Sequence, residues 1–305
     1  IPSGHCWSSP FVRWQGSLAD VPAPELAAAV TGAALARRGL GTADLDGFVV
    51  GLTVPQRNSF YLVPWLASRL GLAGLTGPHI AQACATSVAC VVSAAMQVEQ
   101  ARRGAQLVVA ADRTSNGPLL VYPRSQGMGG GPTTEHWVLD SFAADPNTSL
   151  SMVATAENVA REGGMSRAEL DELTLLRWAQ YEQAIRDDRA VQRRYFQPVE
   201  IQRGKGKPLR VDADEGVHPY SAEGLAALRP VSDGGVVTFG TQTHPADGCA
   251  GAVVTTVDRA QPMAGTSGAA VRILSAGFAR AENAHLPKAG TAAAQVAVAD
   301  AARGG

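Results

Sequence analysis

Apolar positions recur along the first part of the chain with two alternating periods. From Pro22 to Arg38 they fall at helical spacing (Pro24, Leu26, Val30, Ala33, Leu35), and Gly39 follows where a helix C-cap favours glycine. Asp46 to Gly51 is a short continuous apolar run and reads as a buried strand. Ser59 to Leu70 returns to helical spacing through Leu62, Trp65, Leu66 and Leu70. Pro78 to Gln82 reads as a further buried strand, followed by a small-residue helix that runs from Ala85 towards Gly104, and then by the strand Leu107 to Ala111. Strands alternating with helices of ten or more residues predict an α/β chain with parallel pairing and a sheet covered on both faces. In such sheets the functional crevice lies at the carboxyl ends of the strands.

Between about Thr114 and Ser221 the pattern changes to that of an insertion laid over the sheet. Gly127 to Gly131 reads as a plain loop, because no Lys-Ser/Thr pair follows it as a phosphate-binding loop requires. Thr155 to Arg161 is helical. A long helix is predicted from Ser166 to about Asp188, opened by the capping box Ser166-Arg-Ala-Glu169. The basic turn Arg203 to Lys207 reads as a solvated hairpin tip. Val236 to Gly240 and Ala250 to Thr256 are predicted to be adjacent strands. A last strand, Ala270 to Leu274, and a helix, Thr291 to Ala302, close the chain.

Composition narrows the classes of function. Of 305 residues, 46% are hydrophobic and 17% charged, and 26 basic against 27 acidic side chains leave a net charge of −1. This balance carries no footprint for nucleic acid or an anionic membrane surface, and apolar runs stop well short of a membrane span. The four cysteines are scattered without metal-site or disulfide spacing, which suits a reducing, cytoplasmic setting, and no metal site is expected. The chain opens on Ile1 with no signal pattern, so a few preceding residues are expected to have been removed or to lie outside it.

Cys84 has the one chemically suggestive address among the cysteines. It stands where a strand gives way to a helix, facing the unpaired N–H groups of a first turn, whose field favours thiolate over thiol. Cys90, deeper among Val91, Val92 and Ala94, reads as an inert packing residue. His5, His79, His136 and His285 read as structural or exposed, and Asp247 as an organiser of its turn.

Around these residues the chain resembles the thiolase superfamily over nearly its whole length. The motifs are Arg13 to Asp20, Gln82-Ala-Cys84-Ala-Thr86-Ser87, Thr155 to Arg161 with Met165 to Asp171, Val211 to Glu215, and Leu225 to Pro230, five in the family's order. The resemblance implies a thiolase-like βαβαβαββ layered core with an inserted loop domain and an incomplete second half. It divides the chain into a core at 1–113 and 222–258, the loop domain at 114–221, and the start of a C-terminal domain at 259–305. It implies acyl-CoA acyltransferase chemistry, with Cys84 as the nucleophile that carries the acyl group and contributes its N–H to an oxyanion hole. It also implies CoA-binding positions at Ser151, Met152, His218, Thr243 and His244. Coenzyme A enters as a thioester substrate, with no further cofactor. A homodimer is implied, built on an edge strand near Leu107 to Ala111 and paired again to a tetramer.

The chain departs from the family pattern in four places. Ser87 stands where the cysteine motif has glycine. The pantetheine loop reads Gly240-Thr-Gln-Thr243-His244-Pro245, in which Thr243 replaces a serine, and Val217 stands where an adenine-side arginine is common. The Asn-Glu-Ala, Gly-His-Pro and Cys-x-Gly loops of the C-terminal half do not occur, so the strand at Ala270 is expected to start a second sheet without partners. The resemblance therefore implies a remaining half in a continuation of the chain or in a second polypeptide. Three readings stay open: thiolytic or Claisen acyl transfer, aldol cleavage with a partner protein, and a non-catalytic acyl-CoA-binding subunit.

Overall fold

A computed structural model describes residues 1–100, 104–123, 130–202, 204–265 and 268–303. By their contacts these form two units. One comprises Ile1–Gly117, Ala190–Val217 and Pro245–Ile273; the other comprises Pro118–Arg189, His218–His244 and Leu274–Gly305.

The first unit is built on one sheet. Its strands are β1 (Cys6–Ser8), β2 (Val12–Arg13), β3 (Gly47–Gly51), β4 (His79–Ile80) and β5 (Ala105–Asp112), joined by α1 (Ala23–Arg38), α2 (Leu62–Arg69) and α3 (Thr86–Glu99). The long strand β10 (Ala246–Thr255) enters from far along the chain and gives the order β1-β10-β5-β3-β4, with β2 on β10. β3 pairs parallel to both β4 and β5, and β10 runs antiparallel to β5.

Period-two alternation assigns each strand residue to a face. Phe48, Val50, Leu107, Val109 and Val253 point into a core with α1 and α2, while Val49, Val108 and Val254 meet Cys90, Ala94 and Val98 of α3. Apolar residues on both faces are what a sheet covered on both sides demands. α1 buries Leu26, Ala27, Val30, Ala34 and Leu35 on one stripe, and Gly39 ends it in the left-handed conformation at φ 63°. The hairpin of β8 (Val199–Ile201) and β9 (Leu209–Val211) adds buried Val199 and Val211 to the same core, so residues 190–217 pack here. Its tip is closed by Gln202, whose amide donates to the carbonyls of Gly204 and Gly206; Arg203 lies outside the described residues. Helix α8 (Val257–Met263) completes the unit.

Four expectations are corrected here. Leu107 to Ala111 is no edge: β5 is hydrogen-bonded along both sides, so its backbone has nothing left to offer a second copy. The strand expected at Pro78–Gln82 shrinks to His79–Ile80 and forms the outer edge of the sheet, with His79 exposed. Val236 to Gly240 is not a strand beside β10. And Ala270 starts no second sheet: it forms an isolated bridge with Pro2, the N-terminal amine donates to the Val271 carbonyl at 2.8 Å, and Val271 N–H donates back to Ile1.

The second unit holds the hairpin β6 (Leu119–Tyr122) and β7 (Thr133–His136), and helices α4 (Leu139–Ala143), α5 (Met152–Glu162), α6 (Arg167–Arg189), α7 (Ala222–Ala226) and α9 (Pro287–Arg303). The glycine-rich loop expected at 127–131 falls largely outside the described residues. The capping box forms as expected, with Glu169 accepting from the N–H and hydroxyl of Ser166. α6 loses helical geometry at Arg186 to Asp188. Lys288 of α9 donates to Glu162 of α5 at 2.7 Å and to Glu282 at 2.8 Å, two of the three members of the Glu162–Glu282–His285 cluster.

Glu157 explains the missing strand at Val236. Its buried carboxylate accepts the Val236 N–H (3.0 Å), the Val237 N–H (2.8 Å) and the Ser232 hydroxyl (3.3 Å), so the donors a ladder would use are taken. Glu157→Ala is expected to lower the stability of this unit by about 2–3 kcal/mol, since buried donors to a charged group are left unmet. Urea denaturation followed from this unit's Trp178 checks it.

Candidate active site

Three parallel strands end at one edge of the sheet and deliver three polar residues there. β3 stops at Gly51 and leads to Thr53, β4 leads to Cys84, and β5 stops at Asp112. β10, running the other way, starts at the same edge with Gly248 opposite Asp112.

Cys84 lies in a one-turn 3-10 segment, Ala83–Ala85, between β4 and α3. Ala83 has φ 45°, a left-handed conformation that a Cβ disfavours, so the turn must be held by its surroundings. Thr86 does this directly. Its Oγ1 accepts the Gln82 N–H at 2.8 Å and donates to the Ala83 carbonyl at 2.8 Å. The Thr53 hydroxyl lies 2.7 Å from the same oxygen and fills its remaining lone pair. Thr53 is held in turn by Asp112, whose carboxylate accepts the N–H groups of Thr53 (3.0 Å to each oxygen) and Val54 (2.7 Å).

A cavity of about 240 Å³ opens beside the turn, lined by Phe11, Cys84, Ser87, Ala110, Asp112 and Gly248 among others. The approach of α3 to the sheet here depends on Gly51, where a Cβ would stand 2.8 Å from both Cys90 Sγ and Thr86 Cγ2. Cys84 is exposed on the cavity. Cys90 and Cys249 are buried, which pushes their thiols up to about 11 and about 12 and keeps them protonated. Cys6 is exposed on β1.

Burial pushes the Asp112 carboxyl up to about 6, with Asp247 adding to the rise and the Val54 and Thr53 N–H groups and His79 opposing it. A carboxyl whose folded value exceeds its unfolded value near 3.8 binds protons more tightly when folded. Stability is therefore expected to fall as pH rises from about 4 to about 6, by no more than about 3 kcal/mol, then level off. Asp112→Asn should remove that component; urea midpoints of both proteins between pH 4 and pH 7.5 check it.

Asp247 is fully buried and organises the loop after β5, accepting from Thr114 N–H (2.8 Å), Ser115 N–H (3.0 Å) and the Thr114 hydroxyl. The turn it organises is thus not its own. Thr53 and Asp112 are site residues beyond those expected from the sequence. The signal for Asp112 is an acid closing the buried apolar run of β5, the position from which a side chain reaches the strand's carboxyl edge.

The positions expected to bind CoA belong to the second unit. Ser151 caps α5, its Oγ accepting the Ala154 N–H at 3.2 Å, and Met152 follows it beside a cavity of about 250 Å³ with Thr148 and Arg280. Thr243 and His244 are exposed neighbours in the loop before β10, the Thr243 hydroxyl donating to the His244 carbonyl. His218 is exposed. Among the described residues, no helix is long and apolar enough to cross a membrane.

Comparison with known proteins bears on the whole arrangement. The family described as thiolase, N-terminal domain, matches residues 6–258. The acetyl-CoA acetyltransferase of Chromobacterium violaceum is 28% identical over 253 residues, covering 81% of this chain and 64% of that protein. Beta-ketothiolase BktB of Cupriavidus necator is 29% identical over 255 residues, covering 81% and 62%. The chain thus spans less than two thirds of the length of these relatives. In fold, it superposes on human mitochondrial 3-ketoacyl-CoA thiolase with a TM-score of 0.85 at 21% identity, covering 99% of this chain and 76% of that one. An acetyl-CoA acetyltransferase from Syntrophomonas wolfei gives 0.82 at 22% identity.

Proposed function

We propose, for a chain that belongs to the thiolase family through its N-terminal domain, that Cys84 accepts the acyl group of an acyl-CoA thioester. The Cys84 thiolate attacks the thioester carbonyl, a new carbon–sulfur bond forms, the bond to CoA breaks, and CoA leaves as the thiol with the proton released from Cys84. In Claisen condensation the α-carbanion of a second acyl-CoA then takes the acyl group from Cys84. In thiolysis, the reverse direction, Cys84 attacks the 3-keto carbonyl of a 3-ketoacyl-CoA, the C2–C3 bond breaks, the acyl-CoA on the C2 side leaves protonated at C2, and the thiol of free CoA takes the acyl group from Cys84. Splitting the transfer through an enzyme thioester is nucleophilic catalysis.

The observation that carries this reading is the contrast among the cysteines. Cys84 is exposed on a hydrogen-bonded turn beside a cavity at the carboxyl edge of the sheet, whereas Cys90 and Cys249 are buried with raised thiols and Cys6, exposed on β1, does not line that cavity. The names of the bacterial relatives, acetyl-CoA acetyltransferase and beta-ketothiolase, support acyl-CoA as the substrate class. We infer CoA contacts at Ser151, Met152, His218, Thr243 and His244, no cofactor beyond the CoA thioester, and a dimer or tetramer in the cytoplasm. The base that receives the proton of Cys84 is assigned to the portion of the relatives that this chain does not span, in a continuation or a second polypeptide.

Intact-mass measurement before and after incubation with acetyl-CoA tests the reading. An acetyl increment mapped to Cys84 is expected. Binding of CoA with no increment on Cys84 overturns it in favour of a non-catalytic acyl-CoA-binding subunit.

A further inference from the structure

We propose that Asp112 is a positioning residue for Cys84, acting through Thr53 and Thr86 rather than touching the substrate. The inference rests on the reading of Cys84 as the acyl acceptor and adds how that thiol is held in place. The path is continuous. Asp112 accepts three hydrogen bonds from the backbone N–H groups of Thr53 and Val54, which fixes the segment after β3. The Thr53 hydroxyl lies 2.7 Å from Thr86 Oγ1 and 3.3 Å from the Ala83 carbonyl; with the Thr86 proton on that carbonyl at 2.8 Å, Thr53 is the donor to Thr86. Thr86, with one proton and two lone pairs, spends the proton on the Ala83 carbonyl and its second lone pair on the Gln82 N–H. These two backbone groups lie just before Cys84, and Ala83 between them is held at φ 45°.

Two further observations point the same way. Gly51 keeps the sheet free of a Cβ where Thr86 and Cys90 press on it, so the Thr86 hydroxyl reaches Thr53. And an ionised Asp112 costs stability above its titration range, because burial opposes its charge. A stability cost at the wall of a reactive cavity is the pattern of a residue kept for function.

The test uses the full chain with three single variants, Thr53→Val, Asp112→Ala and Thr86→Ser, and a double variant of Thr53 and Asp112. Three quantities are read: acetylation of Cys84 by acetyl-CoA, alkylation of Cys84 by iodoacetamide, and hydrogen exchange of the Gln82 amide. Thr53→Val removes one hydroxyl and leaves the Asp112 clamp in place, so it reports even if Asp112→Ala fails to fold. It is expected to slow acetylation about tenfold and speed Gln82 exchange, with alkylation changed less than about twofold, since acyl transfer needs orientation and alkylation needs access. Asp112→Ala should act alike, the double variant should add little because both lie on one path, and Thr86→Ser should keep wild-type rates. Wild-type acetylation and wild-type Gln82 exchange in Thr53→Val would overturn the inference. If the unmodified protein takes up no acetyl group, the functional reading fails by itself. Gln82 exchange then decides the positioning alone, faster in Thr53→Val upholding it and unchanged overturning it.

Discussion

Cys84→Ala is expected to abolish acyl uptake from acetyl-CoA, a loss of about a thousandfold or more, while leaving the fold in place. The size of the loss follows from the role: a covalent nucleophile has no substitute, and its removal costs whatever the enzyme thioester contributed. The retention of the fold follows from the position. Cys84 is exposed, and no hydrogen bond of the turn that carries it depends on the thiol, since Thr86 holds Gln82 and Ala83 through their backbones. A change in stability within about 0.5 kcal/mol is expected. Cys90→Ala and Cys249→Ala give the opposite pair of results, acyl uptake retained and stability reduced by about 1–2 kcal/mol, because both side chains fill buried space. Intact mass, peptide mapping and urea midpoints on the three variants separate a reactive cysteine from two packing cysteines. Equal acyl uptake by Cys84→Ala and the unmodified chain would sink the assignment.

Phe48→Ala is expected to destabilise the first unit by about 4 kcal/mol, among the largest effects any single truncation has here. Phe48 is fully buried in the layer between the sheet and helices α1 and α2, and it is the largest side chain of the inner strand β3. Its neighbour across the ladder, Leu107, is as buried, so the space it leaves is walled by packed core side chains. On the outer side, its N–H is tied to the Thr76 carbonyl and its own carbonyl is covered by Gly77, where an added Cβ would overlap it. The strand therefore cannot move inward without breaking backbone contacts on that side. Urea denaturation should show a lower midpoint with an unchanged slope. A loss below about 1 kcal/mol would mean that the layer repacks.

Much of this architecture is readable from periodicity, and the exceptions share one physical cause. Helix α1 with its glycine cap, the capping box at Ser166, the buried strands β3 and β5, and the cysteine at a strand-to-helix turn all follow from local pattern. What local pattern does not carry is who a segment's partner is. Leu107 to Ala111 looks the same as an edge strand or an inner one; its second neighbour, β10, lies more than a hundred positions away. Val236 to Gly240 has the apolar texture of a strand, yet a carboxylate from α5 takes its donors. Ala270 has strand texture too, and the chain's own N-terminus meets its backbone. Thr53 and Asp112 belong to the same class. Neither is unusual in its own stretch of sequence, and only the parallel pairing of β3 and β5 brings them together.

The long return of β10 also dictates when the chain can be finished during synthesis. β5 has left the ribosome long before residues 246–255 are made, and until then its β10-facing side lacks the eight register partners it ends with. The nascent first unit must wait with a bare ladder while residues 118–245 are made. Sequence separations of this size slow folding, and a waiting strand is a template for wrong pairing. The wall of the Cys84 cavity contributed by Ala246, Gly248 and Ala250 is thus among the last parts of this sheet to arrive. The cavity beside Cys84 is therefore closed on this side only after residues 246–250 have been made.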